Sequence, residues 1–355
     1  MRAGAALLLT GLFLVPCLAA GARPEPPPAA PPTFEGSISV ALDTLIVRVV
    51  DGSGRPIPGL TPEDFRVRVH GREIAVAAVD WVSSETAAGP GAERPALPEG
   101  AAPAAAAEAA TAPGKLIVVF VQADLEPTRI SGQMRLRPYM RDMLTGLPAA
   151  DRIAVVSFDS HLKLWLDFTG DREAALGAID RAMIYSQETD VLLADPPSLA
   201  RHFDFAAARD VASPERALAE TAKALTELLG EKTLLMLGWG LGRYGMGGVT
   251  MTPDYRPAVA ALSKARVSVF VLDVTSADSH SLEVGLQSVA DATGGSYERT
   301  FQEPGVAVRR IARAISGWYV LTFERDALDG VEPGKLTVEL RGRRGEVLVR
   351  PVIVR

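Results

Sequence analysis

Leu116-Ile117-Val118-Val119-Phe120-Val121 is an unbroken apolar run rich in β-branched side chains. A strand with one wet face alternates polar and apolar residues. A strand covered on both faces does not, so this run predicts an interior strand of a parallel sheet. Three later segments read the same way: Arg152-Ile153-Ala154-Val155-Val156-Ser157-Phe158, Thr233-Leu234-Leu235-Met236-Leu237 and Val267-Ser268-Val269-Phe270-Val271-Leu272. Leu162 to Phe168 alternates and is expected at an edge.

Helical patterns fall between and after these runs. One is expected from about Ser131 to Leu147, and one from Asp171 to Met183, where Leu176, Ile179 and Met183 recur at helical spacing. Ser213-Pro214-Glu215 is a helix start with Ser213 as its cap. Leu218, Ala222, Leu225 and Leu229 would form that helix's buried stripe, with Gly230 ending it. Tyr255 to Ala265 and Leu282 to Ala292 follow, the second closed by Gly294-Gly295. Val308, Ile311, Ala312 and Ile315 mark a last amphipathic helix. Strands alternating with helices imply right-handed βαβ units. The fold class is therefore α/β, a doubly wound, mostly parallel sheet spanning residues 115–316. Ligands of such sheets bind at the carboxyl ends of the strands.

Outward from this body the period changes to two. On the N-terminal side, Ser37 to Leu42, Leu45 to Val50, Phe65 to His70 and Ile74 to Val82 read as strands. Asp51-Gly52-Ser53-Gly54 is a turn, and Thr61-Pro62-Glu63-Asp64 has the make-up of a capping box. On the C-terminal side, Trp318 to Phe323, Lys335 to Leu340 and Val347 to Val354 alternate with no helix between them. Residues 37–84 and 317–355 are expected to combine into one small β-sandwich, with the α/β body inserted; two separate β elements are the alternative. Between them, residues 85–114 are almost all Ala, Pro, Gly and Glu, a linker expected to be disordered.

The first residues bear on compartment. Arg2, the apolar run Ala5 to Val15 and Ala20-Gly21-Ala22 have the layout of a secretory signal over residues 1–22, with cleavage after Ala22. Pro16 cuts the run below the ~20 residues that span a bilayer, so no membrane span is expected in the mature chain. Lipidation at Cys17 is an alternative that Pro16 fits poorly. Residues 23–36 are a Pro/Ala-rich leader. Cys17 is the one cysteine, so a cleaved chain has no disulfide, thiolate metal site or cysteine nucleophile.

The chain has 355 residues, 48% of them hydrophobic, with a net charge of −6. That charge provides no field for nucleic acid. The histidines His70, His161, His202 and His280 show no ligand spacing. Neither a G-x-S-x-G elbow nor a Walker loop occurs. Gly240-Leu241-Gly242-Arg243-Tyr244-Gly245 does fit G-x-G-x-x-G, but Met246-Gly247-Gly248-Val249-Thr250 continues as loop. A nucleotide site would need a helix to begin there.

The order of elements resembles a von Willebrand factor A domain and, more closely, the bacterial exported VWFA-related proteins. The resemblance is carried by Val49-Val50-Asp51-Gly52-Ser53-Gly54, by Gly59-Leu60-Thr61-Pro62-Glu63-Asp64-Phe65 and by Asp151-Arg152-Ile153-Ala154-Val155-Val156-Ser157-Phe158. Ala292-Thr293-Gly294-Gly295 and Gly317-Trp318-Tyr319-Val320-Leu321 follow in order. It implies partner binding at the sheet's carboxyl edge, often through a metal-ion-dependent adhesion site that holds Mg²⁺ with D-x-S-x-S, a Thr and an Asp. Here the first element maps to Asp124-Leu125-Glu126-Pro127-Thr128, or begins at Gln122 or Ala123, where the acid is lost. Thr189 and Asp190 map to the second. Gly238-Trp239-Gly240 stands where the third has its acid. The expectation is a degenerate site with no metal, Mg²⁺ being the one cofactor left open. The expected function is a non-catalytic, exported adhesion or scaffold protein that binds another protein or envelope component. Asp124, Glu126, Thr128, Thr189, Asp190, Trp239 and Tyr244 are the candidate contact residues. The alternatives are a nucleotide-binding enzyme using Gly240–Gly245 and a purely structural envelope component.

Overall fold

The computed structural model describes residues 42–83, 114–184, 190–324 and 336–351. The expected signal and leader, the linker as far as Pro113 and the expected strand residues Ser37 to Ala41, together with Thr189, lie outside the described residues.

Six strands form the central sheet in the order β12-β11-β8-β5-β6-β7. They are β5 (Leu116–Gln122), β6 (Arg152–Phe158), β7 (Leu162–Thr169), β8 (Lys232–Gly238), β11 (Val267–Asp273) and β12 (Tyr297–Arg299). All neighbours are parallel except β6 and β7. The apolar runs are buried along their length in β5, β8 and β11. Ile117, Val119 and Val121 point into one core and Val118 and Phe120 into the other, as period-two side chains must. Helices α1 (Pro127–Thr145), α2 (Arg172–Met183) and α7 (Pro304–Ala314) cover the first face. Helices α4 (Pro214–Thr226), α5 (Tyr255–Lys264) and α6 (Glu283–Thr293) cover the second, joined by the short α3 (Phe205–Arg209). The chain runs outward from β5 through β6 and β7, then returns to β8 on the other side. The switch point therefore falls between the ends of β5 and β8.

Two antiparallel sheets make the sandwich. One has the order β15-β1-β13-β4, the other β14-β2-β3. Strands β1 (Leu42–Val50), β2 (Phe65–Val69), β3 (Arg72–Ile74) and β4 (Ala78–Ser83) precede the α/β body; β13 (Gly317–Glu324), β14 (Leu336–Leu340) and β15 (Glu346–Val349) follow it. Strand β1 lies between β13 and β15, with Leu45 opposite Leu321 and Val49 opposite Val347. Tyr319 is fully buried in this core; its hydroxyl donates to Ile57 O (2.7 Å) and accepts from Leu60 N (3.1 Å). The capping box at Thr61 is present: Asp64 accepts from Thr61 N at 2.9 Å.

Val50 and Leu348 extend into the core beneath α7, which joins sandwich to body. At the same joint the buried Arg48 forms an ion pair with the buried Glu231 and donates to Ser268 Oγ at 3.0 Å. Lys115 pairs with Asp151 at 2.9 Å, also out of solvent. Burial pulls the Lys115 ammonium below its usual range, against the attraction of Asp151.

Three expectations need correction. The single strand Ile74 to Val82 is two, β3 and β4, in different sheets. The chain crosses at residues 75–77, where Ala77 N donates to Thr322 O at 2.8 Å. Helix α4 stops at Thr226, so Leu229 is exposed rather than part of the stripe. Helix α1 begins at Pro127, four residues before Ser131, because the Glu126 side chain caps it by accepting from Arg129 N.

Candidate functional site

At the switch point the exits of β5 and β8 are bound together by one side chain. Gln122 is fully buried at the end of β5. Its Oε1 accepts from Trp239 N (2.9 Å) and Gly240 N (3.3 Å), while its Nε2 donates to Gly240 O at 2.8 Å. Gln133 on α1 donates to the Gln122 carbonyl at 2.9 Å. Each polar group of this amide thus has a backbone partner, which is the condition for burying it.

Asp124, Glu126 and Thr128 follow. Asp124 Oδ1 accepts from Glu126 N at 3.1 Å, and Oδ2 forms an ion pair with Arg129. The Arg129 guanidinium lies 3.5 Å from the centre of the Trp239 ring, a stacked cation–π contact. Glu126 accepts from the Thr128 hydroxyl and from Arg129 N at 3.1 Å. The Thr128 hydroxyl, with the backbone amides, holds the Glu126 carboxyl below its usual range. These oxygens are spent on a cap and on an internal cation. Gly238 has no side chain to contribute, and among the described residues no hydrogen bond or ion pair joins the exposed Asp190 to the group. Among the described residues, the oxygen set that Mg²⁺ would need does not converge at Asp124–Thr128, and these residues do not fit that ion.

The glycine-rich segment is a hairpin of β9 (Arg243–Gly245) and β10 (Gly248–Thr250), with Tyr244 opposite Val249. Gly242 N donates to the buried Glu215 at 2.8 Å, pinning the hairpin to the start of α4. No helix begins in the motif, so the N–H groups a pyrophosphate requires are not presented. Gly242 adopts φ +89 and its Cβ position lies 2.9 Å from Thr250 O, which accounts for that glycine by backbone geometry. Leu125 (71% exposed), Tyr244 (71%) and Met246 (wholly exposed) stand out from the carboxyl edge. Trp239 is partly buried against the core, and its indole N–H has no partner among the described residues.

A second cluster at the same edge was not expected from sequence. Asp273 ends β11, His280 lies in the loop beyond it and Glu283 opens α6. His280 Nε2 is 2.7 Å from Asp273 Oδ2, which also accepts from the Tyr297 hydroxyl at 2.5 Å. Arg299 donates to Glu283 Oε1 at 3.0 Å. Burial alone would raise the Asp273 carboxyl, but hydrogen bonds from His280, Tyr297 and Thr275 N leave it below its usual range. Burial, reinforced by Asp273, pushes the Tyr297 hydroxyl far above its usual value. The signal available in sequence was an acid at the end of a buried strand followed by His280-Ser281-Leu282-Glu283 at a helix start.

No family model and no curated relative matches the chain. Among solved structures it is similar to a von Willebrand factor type A protein from Catenulispora acidiphila, with 11% identity and a TM-score of 0.40, over 89% of this chain and 74% of that one. It is also similar to proximal thread matrix protein 1 from the mussel byssus, with 13% identity and a TM-score of 0.38. That match spans 60% of this chain and about half (48%) of the mussel protein. BatB from Bacteroides thetaiotaomicron matches at 15% identity and a TM-score of 0.36, over 57% of this chain and 97% of that one. These values add nothing to what the strand order already defines. The body is a doubly wound, mostly parallel α/β sheet with one antiparallel edge strand, carrying a sandwich built from strands on both sides of it. Among the described residues, no helix is long and apolar enough to cross a membrane.

Proposed function

We propose that this is an exported, non-catalytic protein that binds another protein or envelope component through the carboxyl edge of its A-like body. The observation that carries the reading is that Leu125, Tyr244 and Met246, in the segments that leave β5 and β8, are each exposed, with Arg129 stacked on Trp239 between those exits. Large apolar side chains left in solvent at a ligand-binding edge support a contact surface there, and aromatic and arginine anchors dominate the energetics of such surfaces. Because Asp124 is already neutralised by Arg129, contact here is direct between side chains and uses no bridging ion.

The test is affinity capture from the envelope fraction of the source cell, comparing the mature chain with Leu125→Ser, Tyr244→Ala and Met246→Ser combined. All three sites are exposed, so the fold should be kept. A partner held by the parent chain should bind the variant at least about 10-fold more weakly, as expected when an anchor is removed. Capture of the same partner with unchanged affinity refutes the assignment of this edge.

A further inference from the structure

Asp273, His280 and Glu283 each direct one donor atom into a shared space, and all three atoms lie within 4.8 Å of one another. We propose that these residues form a site for a divalent transition cation of the zinc type, separate from Asp124–Thr128 and independent of the partner-binding reading.

The donor chemistry is one imidazole nitrogen and two carboxylate oxygens. That set suits Zn²⁺ and its neighbours rather than Mg²⁺ or Ca²⁺, which favour oxygen alone. Three protein ligands with a position left for solvent is the usual arrangement of an open zinc site. The movement required of the His280–Asp273 pair is small. Zinc–ligand bonds of about 2.0–2.2 Å on a tetrahedron place ligand atoms roughly 3.3–3.6 Å apart. His280 Nε2 and Asp273 Oδ2 stand at 2.7 Å, bridged by a hydrogen. Replacing that hydrogen by the ion requires the pair to open by less than about 1 Å. His280 stands in a loop, whereas Asp273 is held by Thr275 N and the Tyr297 hydroxyl.

The surroundings fix the carboxylates as a metal's outer partners do. Thr275 N donates to Asp273 Oδ1 at 2.9 Å, leaving Oδ2 to face His280. Arg299 grips Glu283 through both donors, at 3.0 and 3.3 Å. The Tyr297 hydroxyl lies between the two acids, 2.5 Å from Asp273 and 3.4 Å from Glu283. Two carboxylates and one guanidinium leave the cluster one negative charge in excess, which a divalent ion reverses. Access is from the His280 side, where the imidazole is 19% exposed against 3% for Asp273.

The experiment is calorimetric titration of the chelator-treated, untagged mature chain with Zn²⁺, followed by Co²⁺ with visible absorption. Wild type should bind one ion at micromolar concentration, and Co²⁺ should give an intense tetrahedral band. His280→Ala should weaken binding at least 10-fold and abolish the band. Glu283→Gln should do the same, and tests the site should His280→Ala lose its fold. Asp124→Asn should bind as wild type does. Absence of binding below millimolar Zn²⁺, binding unaffected by both ligand variants, or equal binding of Mg²⁺ would each overturn the proposal.

Discussion

Gln122→Leu removes the side chain whose hydrogen bonds tie the β5 exit to the β8 exit. Leucine has nearly the volume of glutamine, so little cavity results. The loss lies in hydrogen bonding: Gly240 O, Gly240 N and Trp239 N lose partners at 2.8, 3.3 and 2.9 Å. A buried group left without a partner costs about 1–3 kcal/mol. Two of the three groups belong to the buried Gly240, while the third belongs to the partly exposed Trp239 and can recruit water. Burying leucine in place of an amide returns about 1 kcal/mol. The net cost is on the order of 1–5 kcal/mol, no more than the usual 5–15 kcal/mol stability of a folded domain, so the variant should fold. Urea unfolding should show a lower midpoint at unchanged slope. Hydrogen exchange should show the amides of Trp239 and Gly240 losing protection before those of β5 itself. A midpoint within experimental error of wild type, with both amides still protected, would refute the claim that Gln122 holds this edge.

Three further outcomes are expected. Glu231→Gln should cost about 3–5 kcal/mol in urea unfolding, since it leaves the buried Arg48 and the neighbouring Arg350 without their shared opposite charge; Arg48→Met should cost less, because Arg350 still faces Glu231. Burial pushes the Glu298 carboxyl up to about 7, against the attraction of Arg310. The folded chain thus holds this proton more tightly than the unfolded one, and stability falls as pH rises from about 4.5 to about 7. Glu298→Gln should therefore stabilise the protein by about 2 kcal/mol at pH ~8 and not at all at pH ~4, read from thermal melts across that range. Gly132→Ala should cost more than about 3 kcal/mol, because its Cβ would lie 1.7 Å from Val274 O and α1 would have to move; a midpoint equal to wild type would contradict this packing.

The α/β body was legible because its strands are buried on both faces, and burial on both faces writes an unmistakable run such as Leu116 to Val121. The strand boundary at residues 75–77 was not, because Ala75-Val76-Ala77 keeps a strand-like composition across the crossing between sheets. The site was half legible. Asp124, Glu126 and Thr128 could be placed at the edge from strand order, but their engagement could not. Whether Asp124 faces an ion or Arg129 depends on where a helix start aims one guanidinium, and on Trp239, which sequence places more than a hundred residues away. The Asp273–His280 pair is only seven residues apart, yet its geometry comes from an irregular loop with no period to read.

The composite sandwich sets an order of assembly. In the body, each βα unit finds its neighbour within a short length of chain, so it can form as the polypeptide lengthens. Strand β1 cannot. Its partners are β13 and β15, and Leu60 N meets the Tyr319 hydroxyl across 259 residues. Until those strands exist, Val47 and Val49 have no core to enter and β1 keeps two open edges. Strand β1 is thus made well before the strands that shelter it, which makes it a segment a holding chaperone would need to cover.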